Sequence, residues 1–451
     1  MLSQPNIIVF FTDQQRWDTT GVHGNPLGLT PNFDRLAQYG THVEYAFTCQ
    51  PVCGPARSCL QTGLHATATG CYRNGIPLPD SPKPLAQYFN EAGYDTAYIG
   101  KWHLAATRTS PVPVKKRGGY RYWLAADSLE HTSDAYDTVL FDNDNHRVKL
   151  PGYRVDALTD AAIRYINGQQ ESDQPFFLFM SFLEPHHQNH RDDYPSPDVY
   201  RNTYQSRYTP PDLAALGGTA HQHLDGYYGM VKRLDEALGR LMDTLKSLNM
   251  IDNTIVLFTT DHGNHFKTRN AEYKRSCHES SIRIPMAITG PGFTARGRFT
   301  GLTSLIDIPP TLLDAAGIPV PEHMHGTSVL SRLGKQGAEA GDEVFVQISE
   351  SCVARSIRTR RWKYCVVAPD KHPVQDSCSD TYVEQFLYDL EADPYELTNL
   401  AGFESHVEVS RVLSEKLIRH MVYAGEAAPT IVPAAAVKSG QRRVAEEEIK
   451  L

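Results

Sequence analysis

A cysteine, a proline and an arginine lie close together in the segment Cys53-Gly54-Pro55-Ala56-Arg57, and Gly63 follows. Proline fits the first turn of a helix, because its missing N–H would lack a partner there, and glycine fits the left-handed cap at a helix end. The spacing therefore predicts a helix that begins at Cys53. Its thiol would lie at the positive end of the helix dipole, with Arg57 on the same face. This arrangement favours a nucleophile that attacks an anion.

Three other clusters of polar residues each follow a continuous apolar run. The runs predict strands that are buried on both faces of a sheet. The clusters that end them are Asp13-Gln14, Glu184-Pro185-His186 and Asp261-His262. Because working residues collect at the carboxyl ends of strands in such sheets, we expect the three clusters to share one site. Their oxygen donors are the ligands that calcium and magnesium select.

An alternation of strands and helices through the first 340 residues would position these clusters. It predicts a layered α/β domain with a mostly parallel sheet. We expect a catalytic domain at 1–340, a C-terminal antiparallel-sheet subdomain at 341–426 and a mobile or partner-binding tail at 427–451. Besides the helix at Cys53, the predicted strands cover 6–11, 95–99, 174–182, 254–259, 344–348, 354–359 and 362–367, and the predicted helices cover 31–39, 84–92, 155–166, 221–248 and 407–423.

The pattern C-x-P-x-R, followed by Thr62-Gly63, resembles the signature of the type I, formylglycine-dependent sulfatases of the alkaline phosphatase superfamily. The stretch 387–400 is similar to the C-terminal motif of that family, so the resemblance covers nearly the whole chain. It implies an alkaline-phosphatase-like α/β sandwich, in which helices flank a large, mostly parallel mixed sheet, and a small C-terminal α+β subdomain. It also implies hydrolysis of a sulfate monoester. A maturation enzyme would oxidise Cys53 to formylglycine, whose hydrate is the nucleophile.

The resemblance implies one divalent metal ion, for which Ca²⁺ is the first expectation and Mg²⁺ or Mn²⁺ the alternatives. Its implied ligands are Asp13, Gln14, the modified Cys53, Asp261 and His262. Many members of the family carry aspartate in place of Gln14 and asparagine in place of His262. Imidazole is a softer donor than oxygen, which keeps manganese open. The same two substitutions resemble the phosphonate monoester hydrolases of this superfamily.

The resemblance also assigns catalytic roles. Lys101 and His103, two residues apart in a strand, would point into one pocket. Lys101 would bind a sulfate oxygen and the diol, and His103 would take the proton when the hydrate collapses. His186 would protonate the departing alcohol, a step that typically contributes about 10²- to 10⁴-fold to the rate. Lys274 would bridge the sulfate and the leaving oxygen, and Arg57 would neutralise charge.

Further basic residues are predicted to bind the substrate. His187 and His190 lie close to His186, so the identity of the general acid among the three stays open. His278 replaces the usual tyrosine of the family and is expected at the edge of the substrate pocket. His265 and Arg269 extend from the same loop as Lys274. They would either read negative groups on the substrate or form a solvated basic face.

Composition limits the remaining possibilities. A net charge of −8 argues against a general nucleic-acid binder. There is no apolar run of membrane-spanning length and no signal peptide is visible, so we expect a cytoplasmic protein, or a periplasmic or secreted one if a leader was removed. The eight cysteines suggest reduced thiols rather than a disulfide framework.

The predicted function is desulfation of a small-molecule or oligosaccharide sulfate ester, with sulfated carbohydrate favoured. The alternatives are a phosphonate monoesterase or phosphodiesterase and an inactive binding protein whose Cys53 is never oxidised.

Overall fold

The computed structural model describes residues 4–451 and contains eighteen strands within that range. Ten of them form one large mixed sheet, three form a small sheet beside it, and five form a separate C-terminal sheet. The strands are β1 (Asn6–Thr12), β2 (Thr41–Val43), β3 (Ala46–Phe47), β4 (Asp95–Lys101), β5 (Tyr122–Ala126), β6 (Thr138–Phe141), β7 (Arg147–Leu150), β8 (Phe176–Ser181), β9 (Thr254–Thr260), β10 (Arg283–Ile284), β11 (Ala287–Thr289), β12 (Gly297–Phe299), β13 (Thr303–Ser304), β14 (Glu343–Ile348), β15 (Val353–Thr359), β16 (Trp362–Ala368), β17 (Thr381–Asp389) and β18 (Thr430–Val432).

Helices cover both faces of the large sheet. The longest of them, predicted at 221–248, extends over Ala220–Ser247 and buries the predicted apolar face. The helices within the described range are α1 (Pro31–Tyr39), α2 (Cys53–Thr62), α3 (Ala66–Thr69), α4 (Leu85–Glu91), α5 (Leu129–Thr132), α6 (Arg154–Gly168), α7 (Asp198–Tyr204), α8 (Pro211–Ala215), α9 (Ala220–Ser247), α10 (Glu279–Ile282), α11 (Ile308–Ala315), α12 (Val329–Arg332) and α13 (Val407–Tyr423).

The large sheet has the strand order β12-β2-β11-β9-β1-β8-β4-β5-β6-β7. The five central strands, from β9 to β5, are parallel, which confirms the predicted mostly parallel sheet. Side chains alternate between the two faces of a strand. In β1, Ile7, Val9 and Phe11 therefore belong to the core on the α2 side, while Ile8 and Phe10 belong to the core under α6 and α9.

The C-terminal sheet is mainly antiparallel, as predicted, with the order β14-β15-β16-β17-β18. Helix α13 buries Val409, Leu413 and Leu417 against it. Strand β18 lies within the segment that was expected to form a tail, and it pairs in parallel with β17. The proposed divisions after residues 340 and 426 stay predictions. Within residues 4–451, no helix is both long and apolar enough to span a bilayer.

Candidate active site

The structure places Cys53 at the first position of helix α2. Val52 before it is extended, and Gly63 after the helix adopts a left-handed conformation with φ 71°. The Gly63 N–H donates to the Cys59 carbonyl at 2.7 Å, which closes the helix end. Every residue of α2 is buried. The Cys53 thiol therefore lies inside the protein at the positive end of a helix dipole.

Four neighbouring strands bring the polar clusters to one edge of the large sheet. Thr12 pairs with Thr260, so Asp13 and Asp261, the residues that follow them, lie beside each other. Lys101 is the last residue of β4. Strand β8 lies between β1 and β4, and the chain that leaves it leads to His186. These residues converge because the four strands are parallel and end at the same edge.

Three side chains surround the Cys53 sulfur at short distances. Lys274 Nζ lies 2.8 Å from Sγ, His262 Nε2 lies 3.3 Å from it, and Asp13 Oδ1 lies 3.6 Å from it. Burial alone would raise the pKa of this thiol, but the charges of Lys101 and Lys274 hold the pKa well below its usual value. The position therefore stabilises a negative charge on residue 53.

A metal-binding set of donors lies in the same place. One ligand atom each from Asp13, Cys53, Asp261 and His262 can be chosen such that all lie within 4.8 Å of one another. Gln14 Oε1 and Asp261 Oδ2 are buried without a hydrogen-bond partner among the described residues. Buried oxygens without partners are costly in a folded protein, and a cation would satisfy both. The residues present therefore fit a divalent ion with mainly oxygen ligands.

The two carboxylates of this set have opposite electrostatic surroundings. Burial and the neighbouring Asp13 charge raise the pKa of Asp261. Burial would also raise the pKa of Asp13, but Lys101, His186 and Arg57 together hold that pKa below its usual value. Asp13 is thus kept ionised by fixed cations. Around Asp261, the positive charges do not offset the effects of burial and of the Asp13 charge on its pKa. A bound divalent ion would supply the missing positive charge.

Arg57 and Lys101 are held by the strand ends. Arg57 Nη2 donates to Asp13 at 2.9 Å, and its Nη1 donates to the Lys101 carbonyl at 3.0 Å and to Ser181 Oγ at 2.7 Å. Lys101 Nζ lies 2.9 Å from Asp13 and 3.3 Å from Glu130. Burial alone would raise the pKa of Glu130, but the charge of Lys101 lowers this pKa to about 2.

Two predicted catalytic histidines lie close to residue 53. The His103 carbonyl oxygen lies 3.6 Å from the position that a Cβ on Gly54 would take, and Lys274 Nζ contacts both Cys53 Sγ and His186 Nε2. His186 Nε2 lies 3.3 Å from Lys274 Nζ, and its Nδ1 lies 2.6 Å from the His187 carbonyl, which fixes the ring. Burial and the Lys274 charge lower the pKa of His186. A protonated His186 is therefore a stronger acid than an ordinary histidine.

The other two histidines of that loop have different positions. The His187 ring stacks on His186 with a centroid distance of 4.3 Å. His190 is exposed and faces Asp134. Of the three candidates for the general acid, His186 is the one whose ring contacts Lys274 Nζ, which itself contacts Cys53 Sγ, so its role as the acid stays the leading prediction.

Three predicted substrate-binding residues are not brought to the thiol. His265 is fully buried, and its Nε2 lies 3.0 Å from the Lys274 carbonyl. Arg269 donates to two backbone carbonyls of the C-terminal unit, those of Tyr395 and Glu396. His278 is buried, with Nε2 3.1 Å from the Tyr388 hydroxyl. These contacts support the loop that carries Lys274, and a direct role of the three in substrate binding stays a prediction.

Sequence reasoning did not identify Glu130, Ser181 or Gly100. Ser181 had a detectable signal, because it is a polar residue near the end of the predicted apolar strand 174–182. Glu130 had none, since its contact with Lys101 exists only in the folded chain. Gly100 has a φ of 112°, and a Cβ there would lie 1.9 Å from the Ser181 carbonyl oxygen. The neighbouring strand thus requires glycine immediately before Lys101.

Comparisons with known proteins agree with this geometry. A family sequence model described as Sulfatase matches residues 5–318, and a second, described as N-sulphoglucosamine sulphohydrolase, C-terminal, matches residues 271–423. An ulvan-active sulfatase of Formosa agariphila is 30% identical over 94% of this chain and 82% of its own length. An N-acetylglucosamine-6-O-sulfatase of Bacteroides thetaiotaomicron is 25% identical over 92% of this chain and 86% of its own.

Solved structures have the same fold. The putative sulfatase yidJ of Bacteroides fragilis superposes with a TM-score of 0.82 at 25% identity and covers 94% of this chain and 97% of its own. A phosphonate monoester hydrolase of Agrobacterium radiobacter superposes with a TM-score of 0.73 at 24% identity, covering 93% and 96% of the two chains. The second match shows a shared fold alone. From the family match over most of the chain and the converging site, we conclude that this protein belongs to the sulfatase family and is a sulfuric ester hydrolase.

Proposed function

We propose that the protein hydrolyses sulfate monoesters of carbohydrates and that residue 53 acts as formylglycine. The observation that carries the proposal is the environment of the Cys53 sulfur, which lies 2.8 Å from Lys274 Nζ, 3.3 Å from His262 Nε2 and 3.6 Å from Asp13 Oδ1. The sulfur stands in for the oxygens of the hydrated aldehyde. Such a hydrate supplies one hydroxyl for attack on sulfur and a second that allows inorganic sulfate to leave, which a thiol does not.

One divalent metal ion would be held by Asp13, Gln14, Asp261 and His262 together with the modified residue 53. We propose Ca²⁺, because oxygen donors dominate this set, with Mg²⁺ or Mn²⁺ as alternatives. When bound, the ion supplies positive charge that orients and polarises the sulfate ester.

The cationic side chains of the chain position the sulfate. Lys101 and Lys274 approach residue 53 from two different elements, and both would donate to sulfate oxygens. Arg57 is held against Asp13 and keeps that carboxylate ionised and fixed. Because these donors are buried and already in place, they require little reorganisation as negative charge moves during the reaction.

The two histidines would carry protons in opposite steps. His186 would donate a proton to the departing sugar oxygen, which is a poor leaving group without it. Its lowered pKa makes that donation more favourable. His103 would accept a proton from residue 53 as sulfate is released. His103 lies beside Gly54 in the first turn of α2, and its backbone has a φ of 59°, a left-handed conformation that is costly outside glycine.

Carbohydrate is the substrate class that the relatives favour. One is named for action on ulvan and another for N-acetylglucosamine 6-O-sulfate. The alternative, a phosphonate monoester hydrolase or phosphodiesterase, derives from Gln14 and His262 at the metal site. We expect kcat/KM for a sulfated sugar to exceed that for a matched phenyl phosphonate ester, measured on one preparation. The opposite order would establish the alternative.

Modification of residue 53 is tested separately. Protein coproduced with a formylglycine-generating enzyme should contain a residue-53 peptide whose mass corresponds to replacement of CH₂SH by CHO. A peptide that keeps the mass of cysteine in active enzyme would refute the proposed nucleophile.

A further inference from the structure

An open cavity of about 670 Å³ lies beside the start of helix α2, the helix that begins at Cys53. Its volume is in the range of small-molecule sites. Two of its lining residues also contact the start of helix α2. The His103 carbonyl oxygen lies 3.6 Å from the position that a Cβ on Gly54 would take, and Asn74 Oδ1 accepts the Gly54 N–H at 2.9 Å. A sugar whose sulfate reaches residue 53 would therefore extend into this cavity.

The cavity carries an arginine and a histidine that the catalytic mechanism does not use. Arg108 and His131 line it, and within residues 4–451 neither side chain has an ion-pair partner. The cavity's acidic lining residue is Asp127. Its Oδ1 accepts the Ala105 N–H at 2.9 Å, and its Oδ2 accepts the N–H groups of Thr107 at 2.7 Å and Arg108 at 3.1 Å. Asp127 is thus bound to backbone donors, and the guanidinium of Arg108 is left available for a ligand.

The backbone that presents Arg108 is fixed in an unusual conformation. Ala106 and Arg108 both have a φ of 55°, in the left-handed region that costs non-glycine residues free energy. Asp127 holds the Arg108 N–H, and the Arg108 carbonyl accepts the Ser128 N–H at 3.1 Å. Both polar groups of the Arg108 backbone are therefore engaged. The loop therefore presents an exposed cationic side chain from a fixed backbone at the cavity beside the start of α2.

We propose that Arg108, assisted by His131, binds a second anionic group on the substrate, either a carboxylate or a further sulfate. This inference rests on the proposed function. A guanidinium forms paired hydrogen bonds with either group, and these are stronger than bonds between neutral partners. The substrate class is then a sugar unit with two negative groups, one cleaved at residue 53 and one held by Arg108.

The test uses three sugars sulfated at the position that the wild-type enzyme desulfates fastest. The first, called the neutral sugar, is a hexose with no charged group besides that sulfate. The second is the same hexose with a second sulfate, and the third is the corresponding hexuronate. Release of inorganic sulfate gives kcat/KM for each. We expect the wild-type enzyme to prefer one of the two doubly anionic sugars over the neutral one by about 10- to 100-fold. The preferred sugar identifies the second group as sulfate or carboxylate.

Two variants and a control assign the preference to the side chain. Arg108→Ala should reduce the preference at least about tenfold, mainly through KM, because a charge-assisted pair is lost. Arg108→Lys should retain part of it, since the charge remains while the paired geometry is lost. The control is Arg147→Ala, an exposed arginine on β7 that should keep the full wild-type preference.

Distinct outcomes overturn the two proposals. The role of Arg108 would be refuted if the wild-type enzyme had equal kcat/KM for all three sugars, or if both Arg108 variants kept the full preference. Either result would leave the proposed function standing. Failure of the wild-type enzyme to release sulfate from any sulfate ester would refute the proposed function and this inference with it. Salt provides a second readout. Added salt should weaken wild-type binding of the doubly anionic sugar more than Arg108→Ala binding.

Discussion

At the scale of single residues, the site depends on cations that face residue 53. Lys274 Nζ lies within 3.3 Å of Cys53, His186 and His262, so one side chain connects the nucleophile, the proposed acid and the metal set. The sequence predicted these residues because each belongs to a short motif or to a strand end. It could not predict Glu130, whose pairing with Lys101 arises only when helix α5 packs near β4.

Replacement of Lys274 by alanine should lower kcat/KM by about 10²- to 10³-fold, because a preorganised donor to the reacting group is removed. Sulfate release from a sulfated sugar measures the effect. The matched control is Lys335→Ala, since Lys335 is exposed and its side chain makes no hydrogen bond or ion pair within residues 4–451. A Lys274→Ala enzyme that retains control-level activity would show that this cation does not act on the substrate.

Metal removal should lower both activity and thermal stability. Asp13 and Asp261 lie close together in a buried site, and without an ion their repulsion is only partly compensated. We expect a chelator to decrease the unfolding midpoint and added Ca²⁺ to restore it by mass action. In Asp261→Asn the midpoint should respond much less to Ca²⁺. An unchanged wild-type midpoint with and without the ion would contradict the assigned ligands.

At the scale of elements, the ends of parallel strands determine where the side chains meet. Apolar runs were sufficient to predict β1, β8 and β9, because a central parallel strand is buried on both faces. The short strands β3, β10 and β13 carry too few residues to form a recognisable pattern, and they were not predicted. Gly100 was also missed, since its conformation is required by the carbonyl of Ser181 rather than by its own strand.

Replacement of Gly100 by alanine should destabilise the protein by about 3 kcal/mol or more, through the left-handed backbone and a clash of Cβ with a fixed carbonyl. Gly93→Ala is the matched control. Gly93 also has a positive φ, 89°, but its added Cβ would meet no atom within 4 Å. We expect a cost of about 1 kcal/mol there. Urea unfolding measures both, and equal costs would show that the clash is relieved by movement of β8.

At the scale of the whole molecule, the C-terminal sheet supports the catalytic loop. Lys363 on β16 is fully buried and lies 2.7 Å from Glu279 and 2.5 Å from Glu396. Arg269 donates to the Glu396 carbonyl on the same side. The sequence predicted both units, but it could not show which face of the loop the second unit covers. For that reason the sequence left Arg269 open between binding substrate and forming a basic face, and did not predict its contacts with Tyr395 and Glu396.

Glu343 connects β14 to helix α13 and should make stability depend on pH. Burial would raise its pKa, but hydrogen bonds from His420 and Lys416 lower it to about 2. A lowered carboxyl pKa adds stability above about pH 4.5, and that stability is lost as pH falls toward 2. We expect Glu343→Gln to lose about 1 kcal/mol at pH 7, with a smaller difference below pH 4.5. Glu339→Gln, at an exposed position, is the control in urea unfolding at each pH. A pH-independent difference would contradict this role of the ion pairs.

The most direct test of the account measures sulfate release against the extent of modification at residue 53. Preparations with graded formylglycine content, quantified by mass spectrometry of the peptide that contains residue 53, are assayed on one sulfated sugar. We expect the rate per mole of protein to rise in proportion to the modified fraction and to extrapolate to zero for unmodified chains and for Cys53→Ala. Equal sulfate release by unmodified and modified protein would contradict it.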